Sequence, residues 1–318
     1  MKHLGPRPGE ASGRDPVVGR FAPSPTGRMH AGNVFAALAA WLVAKSQGGR
    51  IVLRIEDLDR ERSKPAYADA AQRDFEALGL FWDEGPYFQH DREEAYRAAF
   101  DELSAQGLVY PCFCTRADLH AASAPHRGEK AVYPGTCRDL TDTERACRAQ
   151  KRTPAQRLRV SDESVSLVDS VQGPYSQNLA RDCGDFLVRR SDGAFAYQLA
   201  VVVDDALMGV TEVVRGADLL SSTPRQLWLY RELGLTPPAF YHLPLLLDHQ
   251  GRRLSKRDGD QSLEHLRARY APEEIVGKLA FAAGLQAAPR PAAPADLART
   301  FDWAQVPKHD IFLPENLF

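Results

Sequence analysis

The sequence predicts an α/β fold built on a parallel sheet, and three stretches carry that expectation. Val17 to Ala22 is an apolar run with strand character, Val34 to Ala44 is a long apolar segment of helix formers, and Arg50 to Asp57 is a second apolar strand ending in carboxylates. Strand, helix, strand makes a βαβ unit, and such units put their ligand sites at the carboxyl ends of parallel strands. The chain has 318 residues, 44% hydrophobic and 26% charged, enough for one large or two modest globular domains with ample core. A formal net charge of −2 excludes a global basic field for nucleic acid, while 40 Lys and Arg leave room for a local basic face. The longest apolar run, Val34 to Ala44, falls short of the ~20 residues a membrane span needs. Five cysteines in a chain with no secretory signal point to a reducing cytoplasm.

Met1 to Pro16 is rich in Gly, Pro and Arg and reads as a disordered leader. Between the first strand and the first helix stands Arg20-Phe21-Ala22-Pro23-Ser24-Pro25-Thr26-Gly27-Arg28-Met29-His30-Ala31-Gly32-Asn33. A Pro/Gly turn at a helix entry aims backbone N–H groups at whatever sits above it, which suits phosphate or carboxylate. His30 and Asn33 share one face of the first turn, and Gly32 lets a ligand approach the backbone. Taken alone, the tetrapeptide His30 to Asn33 is equally a capped loop. Glu56 sits where its strand would deliver a ligand-binding group, or it is a capping or solvated carboxylate. Asp57 and Asp59 read as surface partners of Arg60 and Arg62. Helices are expected over Ala66 to Gly79 and Tyr96 to Gln106, the second stopped by Gly107.

Cys112-Phe113-Cys114 and Tyr133-Pro134-Gly135-Thr136-Cys137 form the next feature. Two thiolates two residues apart can grip one metal ion, and zinc favours four ligands with thiolate among them. Tyr133, His120, His126 or a water could fill the fourth place, and three ordinary reduced cysteines are the plainer alternative. Cys147 and Cys183 lie apart from the cluster. Thr143 to Arg157 is polar and charged, and Leu158 to Val171 reads as short strands. Asp185 to Arg190 alternates before the Ser191-Asp192-Gly193 turn, a hairpin signal. Phe195 to Asp205 is apolar and β-branched, and reads as a buried strand that begins near Tyr197 and ends in two carboxylates. Thr211 to Gly216 is a strand with Arg215 near its end, either a surface charge or, beside Glu56 and Tyr197, an anion ligand. Ser222 to Leu233 is a helix with Pro224 in its first turn, and Phe240 to Leu247 is a strand. The basic loop Gly251 to Gly259 follows, with Ser255 and Lys256 suited to phosphate.

The fourteen-residue string resembles the "HIGH" signature of class I aminoacyl-tRNA synthetases in the form of the glutamyl and glutaminyl group, with Asn33 in place of the last His. Arg253-Leu254-Ser255-Lys256-Arg257 resembles the second class I signature, "KMSKS", with Arg253 where that motif begins with Lys. Phe195 to Asp205 and Glu212 to Gly216 also resemble the group. The likeness runs from Val17 to about Ala271. It implies a Rossmann-type parallel sheet with an inserted zinc-bearing α+β subdomain and a short helical C-terminal region. The division expected is a leader over 1–16, a first catalytic half over 17–105, the inserted zinc and acceptor-binding subdomain over 106–185, a second catalytic half with the basic loop over 186–257, and the C-terminal region over 258–318.

The 318 − 257 = 61 residues beyond the loop, and the Cys and Tyr pattern, resemble a short paralogue of glutamyl-tRNA synthetase that esterifies glutamate to queuosine in the tRNA(Asp) anticodon. The resemblance implies ATP with Mg²⁺, L-glutamate and the tRNA(Asp) anticodon arm as substrates, and one structural zinc held by Cys112, Cys114, Tyr133 and Cys137. It assigns His30, Asn33 and Lys256 to catalysis. ATP falls to His30, Gly32, Asn33, Ser255 and Lys256, and glutamate to Arg20, Phe21, Ala22, Pro23, Ser24, Glu56, Tyr197 and Arg215. A truncated glutamyl-tRNA synthetase charging tRNA(Glu) and an inactive tRNA-binding paralogue are the alternatives. A cytoplasmic monomer without membrane contact is expected.

Overall fold

The computed structural model describes residues 16–115, 117–118, 132–252 and 262–318. The leader up to residue 15, His120, His126 and residues Arg253 to Gln261, with Ser255, Lys256 and Arg257, lie outside the described residues.

The chain opens with β1 (Val18–Phe21), α1 (Ala31–Lys45) and β2 (Arg50–Ile55). β1 and β2 are parallel, with Val18 opposite Arg50 and Phe21 opposite Leu53. α1 is buried on nearly every side, as its unbroken apolar sequence requires. α2 (Pro65–Ala77) follows and the chain turns at Gly79 in the left-handed region, φ 72°. β3 (Glu84–Phe88) then adds parallel to β2, and α3 (Glu93–Ala105) leaves the sheet.

β4 (Val109–Cys112), α4 (Asp142–Ala149), β5 (Ala155–Leu158), β6 (Ser164–Asp169), β7 (Gly173–Asn178) and β8 (Phe186–Arg189) come next. β4, β5 and β8 make an antiparallel sheet, and β6 and β7 an antiparallel hairpin. The polar stretch after residue 142 carries α4, whose start is closed by the reciprocal Thr141 and Glu144 capping box.

α5 (Tyr197–Leu207), β9 (Glu212–Gly216), α6 (Thr223–Glu232) and β10 (Ala239–Leu243) return to the parallel core. β9 and β10 are parallel. The Thr211 N–H donates to the Val18 carbonyl at 2.9 Å, and the Val18 N–H to Thr211 Oγ1 at 2.9 Å, which lays β9 beside β1. β11 (Leu246–Leu247), α7 (Leu263–Arg269), α8 (Pro272–Ala282), α9 (Pro294–Ala298) and β12 (Ile311–Phe312) complete the described chain.

Four expectations need correction. Phe195 to Asp205 is not a strand: after Phe195 and Ala196 it is helix α5. An apolar run of that length exceeds an ordinary strand, and burial on all sides erases the polar face that would betray a helix. The turn at Ser191 to Gly193 exists, with Gly193 at φ 92°, but the returning limb makes a single bridge, Phe195 to Arg189, before entering α5. The C-terminal region is not wholly helical, since β12 pairs parallel with β11; two residues are too few to carry a periodic signal. The long strand expected over Phe240 to Leu247 is split at Pro244 into β10 and β11.

Both faces of the parallel sheet are covered, as parallel sheets require. Ile51, Leu53 and Ile55 face a core shared with α1, α2 and α8, while Val18, Val52 and Val213 face one shared with α3, α5 and α6. The alternation along β2 therefore places Arg54 on the second face.

Candidate active site

A cleft of about 600 Å³ opens at the carboxyl ends of β1, β2 and β9. It brings together Arg20, Phe21, Ala22, Pro23, Ser24, His30, Gly32, Asn33, Glu56, Tyr197 and Arg215, which are all the described residues expected to touch glutamate or ATP.

His30 is the N-cap of α1, in extended conformation at φ −123° and ψ 169°. Its Nδ1 accepts from the Gly32 N–H at 3.2 Å, and its own N–H donates to Asn33 Oδ1 at 3.1 Å. An Nδ1 that accepts leaves the proton of a neutral imidazole on Nε2. His30 thus presents an N–H donor at a helix N-terminus, where the backbone field favours anions. A Cβ on Gly32 would lie 3.1 Å from the His30 ring, so the glycine holds space for that rotamer. The turn is fixed from outside as well. The Glu56 N–H donates to the Pro23 carbonyl at 3.0 Å, and the Leu263 N–H to the Met29 carbonyl at 2.9 Å. Ser262 bridges to His30, so the chain re-enters the described structure beside the turn, immediately after the basic loop.

The floor of the cleft is a buried charge network. Arg54 is fully buried; its Nη1 donates to Asp205 Oδ1 at 2.6 Å and its Nη2 to Glu56 Oε1 at 3.1 Å, while its Nε lies 3.7 Å from Asp204 Oδ2. Burial raises the Glu56 pKa above the ordinary carboxylate value, and Arg54 and Arg20 oppose that rise. Burial, and then Glu56, raise that of the Tyr197 phenol, which stays neutral. Arg20 Nη1 donates to the Val214 carbonyl at 2.9 Å, and its Nε lies 3.6 Å from Asp205. Arg215 donates through Nε to His242 Nε2 at 3.0 Å and through Nη2 to Thr223 Oγ1 and Gln226 Oε1 at 2.9 and 2.8 Å. Its Nη1 is buried and has no hydrogen-bond partner among the described residues. Two guanidinium groups and one carboxylate around a cleft match a zwitterion that carries more negative than positive charge.

Sequence reasoning missed Arg54, Asp205, Asp169, His242, Thr223 and Gln226. Arg54 had a signal, a charge in the middle of an apolar strand. Asp205 was legible only as a carboxylate at the end of an apolar run, and the rest had no local signal, because their partners lie far along the chain.

The cysteine cluster lies at the end of β4, in a small core of its own with Tyr110 and Phe113. Cys112, Cys114 and Cys137 hold their Sγ atoms within 4.8 Å of one another. Cys114 Sγ is 3.6 Å from Cys137 Sγ, and Tyr133 Oη is 3.5 Å from Cys112 Sγ. Tetrahedral zinc requires about 3.8 Å between two sulfurs and about 3.5 Å between sulfur and oxygen, so this donor set fits the ion. Arg157 stacks 3.7 Å over the Tyr133 ring and donates to Cys112 Sγ at 3.2 Å, a cation suited to offset anionic ligands.

The family described as tRNA synthetases class I (E and Q), catalytic domain, matches residues 16–288. The glutamyl-Q tRNA(Asp) synthetase of Symbiobacterium thermophilum is 51% identical over 312 residues, 94% of this chain and 96% of that one. The protein of the same name from Nitratidesulfovibrio vulgaris is 48% identical, over 95% of this chain and 97% of that one. The chain belongs to the glutamyl-Q tRNA(Asp) synthetase family. Like the class I synthetases it carries an α/β fold with a parallel sheet, and it is a ligase. A crystal structure of a glutamate tRNA ligase from Elizabethkingia meningosepticum, in complex with its amino acid, superposes with a TM-score of 0.83 at 27% identity, covering 95% of this chain and 68% of that one. No helix among the described residues is long and apolar enough to cross a membrane.

Proposed function

We propose that the protein activates L-glutamate with ATP and transfers it to queuosine at the wobble position of the tRNA(Asp) anticodon. The observation that carries this reading is the convergence of Arg20, Glu56, Tyr197 and Arg215 in one cleft with the His30–Asn33 helix entry. Identity of 48–51% over nearly the whole length of relatives bearing that name supports it. The lower identity, 27%, to a glutamate tRNA ligase disfavours the reading as a truncated glutamyl-tRNA synthetase.

In this scheme Arg20 and Arg215 hold the negative side of glutamate, Glu56 receives its ammonium group, and Tyr197 donates a hydrogen bond. Phe21, Ala22, Pro23 and Ser24 form the wall that carries those groups. The α-carboxylate attacks the ATP α-phosphorus, and pyrophosphate leaves. Such a reaction needs alignment and charge neutralisation rather than a protein nucleophile. His30 Nε2–H and Asn33 hold the triphosphate, and Gly32 leaves room for it to approach the backbone. Ser255 and Lys256, on the loop outside the described residues, balance the charge that grows on pyrophosphate. Mg²⁺ accompanies ATP and neutralises its phosphates. A hydroxyl of the queuosine cyclopentene diol then takes the acyl group and releases AMP.

Cys112, Cys114, Tyr133 and Cys137 would hold one zinc, which ties β4 to the Gly135 turn and has no position open for chemistry. The zinc subdomain spans 106–185, between catalytic halves at 17–105 and 186–257, with the C-terminal region at 258–318. The protein acts as a cytoplasmic monomer that meets an anticodon arm with its base splayed out.

The test compares glutamate incorporation into tRNA(Asp) with and without queuosine, and into tRNA(Glu). Labelled glutamate should enter only the queuosine-bearing tRNA(Asp). Equal labelling of both tRNA(Asp) samples, or label on the 3′ adenosine, would overturn the assignment.

A further inference from the structure

Asp169 and His242 have no role in the scheme above, yet they are built with more hydrogen bonds than a simple tie between two elements needs. Asp169 is the last residue of β6, and His242 lies on β10, opposite Arg215 on β9. All three side chains are buried. Asp169 Oδ1 accepts the N–H groups of Val171, Gln172 and His242 at 3.0, 2.8 and 3.2 Å. Its Oδ2 lies 2.6 Å from His242 Nδ1. Burial alone would raise this carboxyl, but the bonds from His242 and Gln172 hold its pKa below the ordinary value, so it is an acceptor. His242 Nδ1 must then donate. Burial pushes the imidazole pKa down, Arg215 and Arg20 add to that, and Asp169 opposes it. A neutral ring with its proton on Nδ1 has one capacity left, an acceptor at Nε2, and that atom faces Arg215 Nε at 3.0 Å and the Thr223 hydroxyl at 3.2 Å.

Arg215 is thus gripped on two of its three nitrogens, through His242 on Nε and through Thr223 and Gln226 on Nη2. The nitrogen left without a partner among the described residues is Nη1, on a side chain that lines the amino-acid cleft. We propose that His242, fixed by Asp169 in the tautomer that accepts at Nε2, is a positioning residue that locks the Arg215 guanidinium so that Nη1 meets the substrate carboxylate. This rests on the reading of the cleft as a glutamate pocket. The benefit is preorganisation: a long side chain that arrives already oriented loses no rotamer freedom when substrate binds.

Two substitutions separate this from a merely structural tie. His242→Asn keeps a donor where Nδ1 meets Asp169 but has no acceptor at the Nε2 position. His242→Gln can reach Arg215 with its amide oxygen. In glutamate-dependent ATP–pyrophosphate exchange on the full chain, His242→Asn should raise the glutamate KM about tenfold, the scale of one charge-assisted hydrogen bond, with the ATP KM within about twofold of the parent. His242→Gln should recover most of that loss. Asp169→Asn offers an independent arm. Its amide would donate to Nδ1, move the ring proton to Nε2 and set a donor against Arg215, so ¹⁵N NMR should show the tautomer reversed and the glutamate KM raised. The proposal is overturned if Asn and Gln at position 242 behave alike, if glutamate and ATP KM rise together, or if the parent ring carries its proton on Nε2. A parent enzyme with no glutamate-dependent exchange would sink the reading of the pocket instead, and the tautomer alone would then decide the relay.

Discussion

Arg54→Met tests the charge network under the cleft most directly. Methionine fills much of the volume of the Arg54 stem and removes the cation. Asp204 would keep Arg92 Nε at 2.5 Å, Gln89 Nε2 at 2.8 Å and the Tyr96 hydroxyl at 2.8 Å. Asp205 would lose its 2.6 Å partner and keep only Arg20 at 3.6 Å, and Glu56 would lose its 3.1 Å partner. Two buried acceptors losing their donors at about 1–3 kcal/mol each agree with the 3–5 kcal/mol typical of breaking a buried ion pair from one side. With ~2.1 cal/mol/K per residue over 318 residues, that loss lowers the melting temperature by roughly 5–7 °C. The pH dependence has a definite sign. Glu56 already has a raised pKa, so its contribution to stability is fully present below the unfolded carboxylate value and is lost as pH rises through the folded value. Arg54 opposes that rise, so removing it enlarges the loss near neutrality and leaves the acid side less affected. Melts followed by circular dichroism at about pH 7.5 and about pH 5 should show a deficit that shrinks in acid. A variant as stable as the parent at neutral pH, or one equally weakened at both, would refute the account.

Two further outcomes follow from the same geometry and motifs. One zinc per chain is expected by metal analysis, and Cys137→Ser should lower both the metal content and the melting temperature; full stoichiometry with unchanged stability would count against the site as drawn and remove Cys137 from its ligands. Lys256→Ala should slow adenylate formation far more than it weakens glutamate binding, because its charge matters as pyrophosphate departs; a variant in which only the glutamate KM rises would assign Lys256 elsewhere.

The parts legible in the sequence were those with local signals. The Pro/Gly turn between β1 and α1, the apolar β2 and Pro224 at the start of α6 each announce themselves within a few residues, and the structure has them within a few positions of expectation. Tyr197 lines the cleft, but not as part of the element expected. It was read as the start of a strand, whereas it is the first residue of α5, and the resemblance rather than the element carried it to the site. Arg215 was read as a cation near a strand end, either a surface charge or an anion ligand; that it is buried was invisible. Its partners His242, Thr223 and Gln226 come from β10 and α6.

That difference has a physical origin. An amino-acid pocket must present unsatisfied cations to its substrate while the protein is empty, and a buried guanidinium without partners is costly. The fold meets part of this cost from long-range partners, on two of the three nitrogens of Arg215 and on one of Arg20. Arg20 is tied to Val214, and Arg215 to His242, Thr223 and Gln226. On the proposed reading, the local string specifies the groups that would touch glutamate, but the groups that hold them in place are set by the tertiary fold, and substitutions there should alter selectivity for glutamate without any contact to it.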